Sequence, residues 1–196
     1  GRVTVVAGTG SNSTVEAIEL TRHAAAAGVD AALLITPYYN KPTPEGQYRH
    51  YRAIAEAAGI PIVLYNVPSR TGTNMLPETV ARIAREVSNV VAIKEASGDI
   101  DQIATLASIS DIKILSGNDS QTLPILALGG IGVISVTANV APSPVAKVCK
   151  LWREGKVDAA AKLHLQLMNL HKSMFIETNP MPVKTVLAAM GRIKPI

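Results

Sequence analysis

Cysteine, tryptophan and phenylalanine each occur once in this chain of 196 residues. A single cysteine excludes a disulfide within the chain and suits a reducing compartment, so a cytoplasmic protein is expected. Cys149 sits in VAKVCKLW, a helical pattern, which makes it a packed thiol rather than a nucleophile. No apolar run approaches the roughly 18 residues that a membrane helix requires. The opening GRVTVVAGTG has no basic stretch leading into a hydrophobic one, so no export signal is expected in it. Basic runs are missing too. The net charge is +4, but the lysines and arginines are dispersed and few aromatics lie among them, which argues against nucleic acid as a partner. A mild positive balance suits a site that gathers small anions. The histidines, His23, His50, His164 and His171, share no metal-ligand spacing and lie in polar, helical-looking stretches. Solvated helix faces are the expectation for all of them, and no metal.

Apolar residues are abundant, at 47%, enough for a large core in a chain of this size. They come in β-branched runs: VTVVAG from Val3, AALLIT from Ala31, IPIVLYNV from Ile60, VVAIKEA from Val90, IKILSG from Ile112 and GVISVTA from Gly132. Each reads as a strand buried on both faces. Helical patterns lie between them. In LPETVARIAREV the residues Val80, Ile83, Ala84 and Val87 share a face, and Pro77 suits a first helical position. Ser13 and Glu16 match a capping box that opens a helix ending near Gly28. Leu163, Leu167, Leu170 and Met174 form one stripe near the C-terminus.

The alternation describes six successive βα units around a parallel sheet. An open doubly wound sheet would be complete with about this many strands, whereas a closed (β/α)8 TIM barrel needs eight. The chain starts without methionine, almost directly in a strand, and ends in GRIKPI with no evident closing element. The expectation is therefore an α/β protein with strands three to eight of a (β/α)8 barrel in residues 1–142, and the last barrel helix with a C-terminal helical extension in 143–196. AGTGSNST follows a strand and precedes a helix, but Ser13 stands where a dinucleotide loop has its third glycine. A tight turn is the better reading.

In a parallel barrel the functional side chains gather where strands end. The unusual polar residues do so here: Tyr38 and Tyr39 in TPYYNKPTP, Tyr65 and Arg70 in LYNVPSRTG, Lys94 in VVAIKEASG, and the SGND that ends the next strand. A lysine among apolar groups has its ammonium form disfavoured, and the free amine condenses with ketones. The iminium so formed acidifies the neighbouring carbon, and Tyr65 on the adjacent strand could serve as its proton donor and acceptor. For Lys94 alone, snorkelling from the strand end or pairing with Glu95 is the blander alternative. Tyr65 alone would pass for a core aromatic, and Arg70 for a solvated charge.

Taken together, TPYYNKP, LYNVPSRTG, VVAIKEASG, LSGND and GVISVTANV resemble, in order and spacing, the dihydrodipicolinate synthases of the pyruvate-dependent class I aldolase superfamily. That resemblance implies a homotetrameric barrel, a dimer of dimers, acting in lysine (diaminopimelate) biosynthesis without an added cofactor. Pyruvate would form a Schiff base on Lys94, and its enamine would add to L-aspartate 4-semialdehyde. Tyr65 corresponds to the family's catalytic tyrosine and Tyr39 to the one that enters the neighbouring subunit's site. Arg70 corresponds to the arginine that binds the semialdehyde's carboxylate, and Gly117 and Ile134 to residues lining the pyruvate pocket. Asn12, Glu16 and Tyr38 resemble part of a lysine-inhibition site found in some members. The family's GTTGE motif, with a relay threonine and the cradle for pyruvate's carboxylate, would precede Gly1. The 196-residue chain by itself is accordingly expected to turn over little and to associate through exposed strand edges. Two other readings share some of these residues: a sister pyruvate aldolase of the N-acetylneuraminate lyase or 2-keto-3-deoxy-sugar acid type, and a barrel remnant without activity.

Overall fold

A computed structural model describes residues 2–195. It resolves into two compact units, Gly1–Leu115 and Ser116–Ile196. The first unit carries strands β1 (Val6–Gly8), β2 (Ala31–Ile35), β3 (Ile62–Asn66), β4 (Val90–Glu95) and most of β5 (Lys113–Ser116), neighbours in chain order. The pairs β1–β2, β2–β3 and β3–β4 are parallel. Helices α1 (Thr14–Ala26), α2 (Pro44–Ala58), α3 (Pro68–Thr71), α4 (Pro77–Glu86) and α5 (Ile100–Ile109) lie between the strands, as parallel pairing requires a crossover each time. The core is made of Ala32, Leu34, Ile62, Leu64 and Ile93 from the strands and Ile54, Ile83 and Leu106 from the helices.

Local chemistry sets the helix ends. Pro44, Pro68 and Pro77 open α2, α3 and α4, where the missing N–H costs nothing. Ser13 caps α1 by accepting from the Glu16 N–H. Glu16 does not complete the capping box: its carboxylate takes the Ser11 hydroxyl instead, and the Ser13 N–H donates to Ser11 Oγ at 3.1 Å.

The second unit holds β6 (Gly132–Val133) and helices α6 (Thr122–Ala127), α7 (Pro142–Arg153), α8 (Val157–Ser173) and α9 (Met181–Ala189). Val145 and Val148 of α7 pack on Leu167 of α8, with Leu163 and Leu170 alongside, so the predicted apolar stripe is a packing face. Cys149 is half-buried on α7 and burial pushes its thiol up, as a packed thiol requires.

Three expectations need correction. The first strand begins at Val6, not Val3, and Val3 is 65% exposed. Before it, the Asp30 carboxylate accepts the Val5 N–H at 2.7 Å and the Asp30 N–H donates to the Val5 carbonyl, so a side chain stands in for a ladder bond. GVISVTA yields only a two-residue strand. The buried Asp119 carboxylate captures the Ser135 hydroxyl and the N–H groups of Val136 and Thr137, which turns the chain out of the extended conformation. The histidines are not all solvated: His50, His164 and His171 are buried, with His50 accepting or donating at Thr14 Oγ1 and His171 at Thr137 Oγ1. Their helices present them to neighbours because a polar ring with one satisfied nitrogen can be packed like an aromatic.

Candidate active site

Lys94 and Tyr65 stand opposite one another in the parallel ladder, each one residue before the end of its strand. Lys94 Nζ lies 4.0 Å from the centroid of the Tyr65 ring, over its face. Both side chains are half-buried, so charges there are screened less than in water. Burial pushes the Tyr65 phenol up, and the positive charge of Arg70 pulls it partly back. At neutral pH Tyr65 is therefore a protonated hydroxyl, able to give a proton and take one back.

The backbone at this end is held by Thr36, which is fully buried at the close of β2. Its N–H and its hydroxyl both donate to the Tyr65 carbonyl, at 2.8 and 2.9 Å. Arg70 sits on α3, the single turn that Pro68 starts and left-handed Gly72 (φ 71°) stops. The sequence reads as a loop there; the turn makes Arg70 an exposed side chain on a fixed base. Its positive charge acts on the Tyr65 phenol.

Tyr39 lies on the loop after β2 with φ at 71°, a left-handed conformation that costs a bulky residue energy. Its N–H donates to the Thr71 carbonyl at 3.3 Å, tying the loop to α3, while its side chain is 89% exposed. Asn12 and Tyr38 come together, since Asn12 Nδ2 donates to the Tyr38 carbonyl at 3.1 Å; Glu16 turns away to Ser11. In the second unit, Gly117 is buried just after β5, and the Ile134 N–H donates to the carbonyl of Ser116, so these two are neighbours at adjacent strand ends. No group of three or more potential metal ligands occurs among the described residues.

Sequence reasoning passed over the residues behind the site. Asn66 and Glu95 each follow a candidate catalytic residue, and both are buried. Strand alternation turns them to the opposite face from Tyr65 and Lys94. There the Glu95 carboxylate accepts from the Ser97 N–H at 2.7 Å and from Asn66 Nδ2, so Glu95 serves the back of the sheet. A carboxylate in an apolar strand was the available signal.

The sequence profile of the dihydrodipicolinate synthetase family matches residues 1–195. The chain belongs to this family. It is 57% identical over 98% of its length to the 4-hydroxy-tetrahydrodipicolinate synthase of Thermodesulfovibrio yellowstonii, of which it covers 67%. Among solved structures, a dihydrodipicolinate synthase from Thermotoga maritima superimposes with a TM-score of 0.97 at 47% identity, over 99% of this chain and 68% of that one. The chloride-inhibited enzyme from Acinetobacter baumannii, solved in complex with pyruvate, gives a TM-score of 0.95 at 47% identity, over 98% and 67%. The fold is accordingly that of a (β/α)8 barrel with six of its βα units and a C-terminal helical part. Membership makes the chain part of an aldolase-type lyase of lysine (diaminopimelate) biosynthesis, a family whose chemistry runs through a lysine imine with pyruvate and needs no added cofactor.

Proposed function

We propose that this chain supplies the imine-forming lysine, the proton-shuttling tyrosine and the aldehyde-binding arginine of a 4-hydroxy-tetrahydrodipicolinate synthase. The observation that carries the reading is Lys94 Nζ at 4.0 Å over the Tyr65 ring on in-register strand ends. Lys94 Nζ attacks the ketone carbon of pyruvate and water leaves, with Tyr65 passing the protons. Loss of a methyl proton from the iminium gives the enamine, whose carbon attacks the aldehyde carbon of L-aspartate 4-semialdehyde, and the new alkoxide takes a proton. The amino group of the bound semialdehyde then displaces Lys94, closing the ring and restoring the free lysine. One water is lost overall.

Arg70 offers a planar fork to the semialdehyde's carboxylate. A sugar-acid substrate has less use for such a group there, which favours the synthase over the sister aldolases. Gly117 and Ile134 line the pyruvate pocket. Tyr39, exposed on a strained loop, fits a side chain that completes the site of a second subunit, in keeping with a homotetramer built as a dimer of dimers in the cytoplasm. Residues 1–142 form the barrel part and 143–196 the last barrel helix and extension. Asn12, Glu16 and Tyr38 contribute to a lysine-binding regulatory site, for which loss of activity at millimolar-range lysine is the readout. Borohydride reduction in the presence of pyruvate, followed by mass spectrometry of the full-length gene product, tests the central claim. The expected outcome is an adduct on Lys94 that Lys94→Ala lacks; an intact protein with no adduct refutes it.

A further inference from the structure

The pairing of β3 with β4 contains an irregularity just where the two strands begin. Ile62 faces Val90, but the next residue, Val63, faces Ala92, leaving Val91 as an extra residue on β4. Without that shift, counting on from Ile62 and Val90 would set Tyr65 against Ile93 and Asn66 against Lys94. The shifted ladder sets Tyr65 against Lys94 and Asn66 against Glu95. The shifted and unshifted registers differ in whether the amine meets the phenol.

Apolar patterning does not choose between them. Val63, Leu64, Ala92 and Ile93 are all buried, so both faces of these strands are apolar and a slip exchanges one apolar contact for another. Polar groups must decide. Asn66 Nδ2 donates to Asn74 Oδ1 at 2.8 Å and reaches both Glu95 carboxylate oxygens at 3.2 Å, with the Met75 carbonyl at 3.5 Å. Asn66 Oδ1 accepts the Met75 N–H at 3.0 Å. Asn74 in turn exchanges hydrogen bonds with Gln102 of α5. The main chain closes the arrangement, the Ala96 N–H donating to the Asn66 carbonyl at 2.9 Å. In the slipped register Asn66 would face Lys94, and the Glu95 carboxylate, 1% exposed, would lose its Asn66 donor and be left with those of Ser97 and Gln102.

We infer that Asn66 and Glu95 are positioning residues that form a register lock, selecting the shifted pairing of β3 and β4 that places Lys94 against Tyr65. This rests on the reading of Lys94 as the imine-forming lysine. The lock acts from the back of the sheet and touches no substrate. The Asn66–Glu95 hydrogen bond forms in one register alone, whereas apolar contacts form in either.

Exchanging the partners tests this in the full-length gene product. Asn66→Asp sets two buried carboxylates face to face and is expected to slow trapping of the pyruvate imine at least about tenfold, as misplaced reacting groups do. Glu95→Gln keeps an acceptor for Asn66 and Ser97 and should stay within about threefold of wild type, whereas Glu95→Ala should not. The double variant Asn66→Asp/Glu95→Gln restores one donor against one acceptor with the polarity reversed, and its trapping rate should recover. A general loss of packing would not be reversed by that exchange. Folded Asn66→Asp that traps pyruvate at the wild-type rate overturns the lock, and so does a double variant that fails to recover. If Asn66→Asp cannot be purified, the double variant decides alone: folding and trapping together support the lock, and anything less overturns it. Should the wild-type protein trap no pyruvate, the lysine reading fails separately. Hydrogen exchange at the Ala96 amide then reads the register, with faster exchange expected in Asn66→Asp and recovery in the double variant.

Discussion

Acid should destabilise this protein through His50. The ring is 5% exposed on α2, its Nδ1 lies 2.9 Å from the Thr14 hydroxyl of α1, its edge meets the Tyr51 ring, and its Nε2 has no partner. Burial pushes its pKa from 6.5 down to about 4. The unfolded chain thus takes a proton as pH falls through about 6.5, while the folded chain resists until about 4, so the unfolded state binds more protons throughout that window and stability falls across it. Linkage between those two values makes the loss from pH 7.5 to pH 5 about 2 kcal/mol. His50→Gln, which keeps a group able to bond Thr14, removes this contribution. Urea unfolding followed by far-UV circular dichroism at both pH values should show the variant losing about 2 kcal/mol less than wild type. His164 and His171, also pushed down by burial, are present in both proteins and cancel. Equal losses in the two proteins, or a His50 NMR titration midpoint near 6.5, would refute the reasoning.

Other outcomes follow from particular contacts. Tyr65→Phe removes the proton shuttle and should lower kcat by about 10²–10⁴-fold, the usual worth of general acid–base catalysis, in a steady-state assay. Arg70→Ala should leave pyruvate trapping intact while raising KM for the semialdehyde about 10–100-fold, the loss of a charge-assisted hydrogen bond; equal effects on both substrates would contradict its placement. A methyl group at Gly10 would come within 2.5 Å of the Ile35 backbone nitrogen, so Gly10→Ala should lower stability by about 1–3 kcal/mol, read as a fall in Tm. Cys149, with its thiol pushed up by burial, should react with a maleimide at pH 7.5 much more slowly than free cysteine.

The legible part of the site was the part with strong local chemistry. Lys94 and Tyr65, each one residue before the end of its strand, could be picked out as candidates because functional side chains gather where barrel strands end. Pro77 announced α4 and the leucine stripe announced the face of α8. Less visible was the fate of polar residues whose partners are distant in sequence. His50 finds Thr14 across 36 residues, and Asp119 rewrites GVISVTA from 17 residues away, so neither burial nor turn could be read locally. Tyr39 in a left-handed conformation also had no local mark, since tyrosine rarely adopts it.

The sequence by itself determined the parallel βα order and helix starts such as Pro77, and singled out Lys94 and Tyr65 as candidates, because periodicity, prolines and a lone amine in an apolar run are properties of short segments. Tertiary structure alone decided that the pair meets. The extra residue at Val91 and the Asn66–Glu95 contact set which residues stand opposite across two strands, and strands buried on both faces carry no apolar alternation from which that choice could be read.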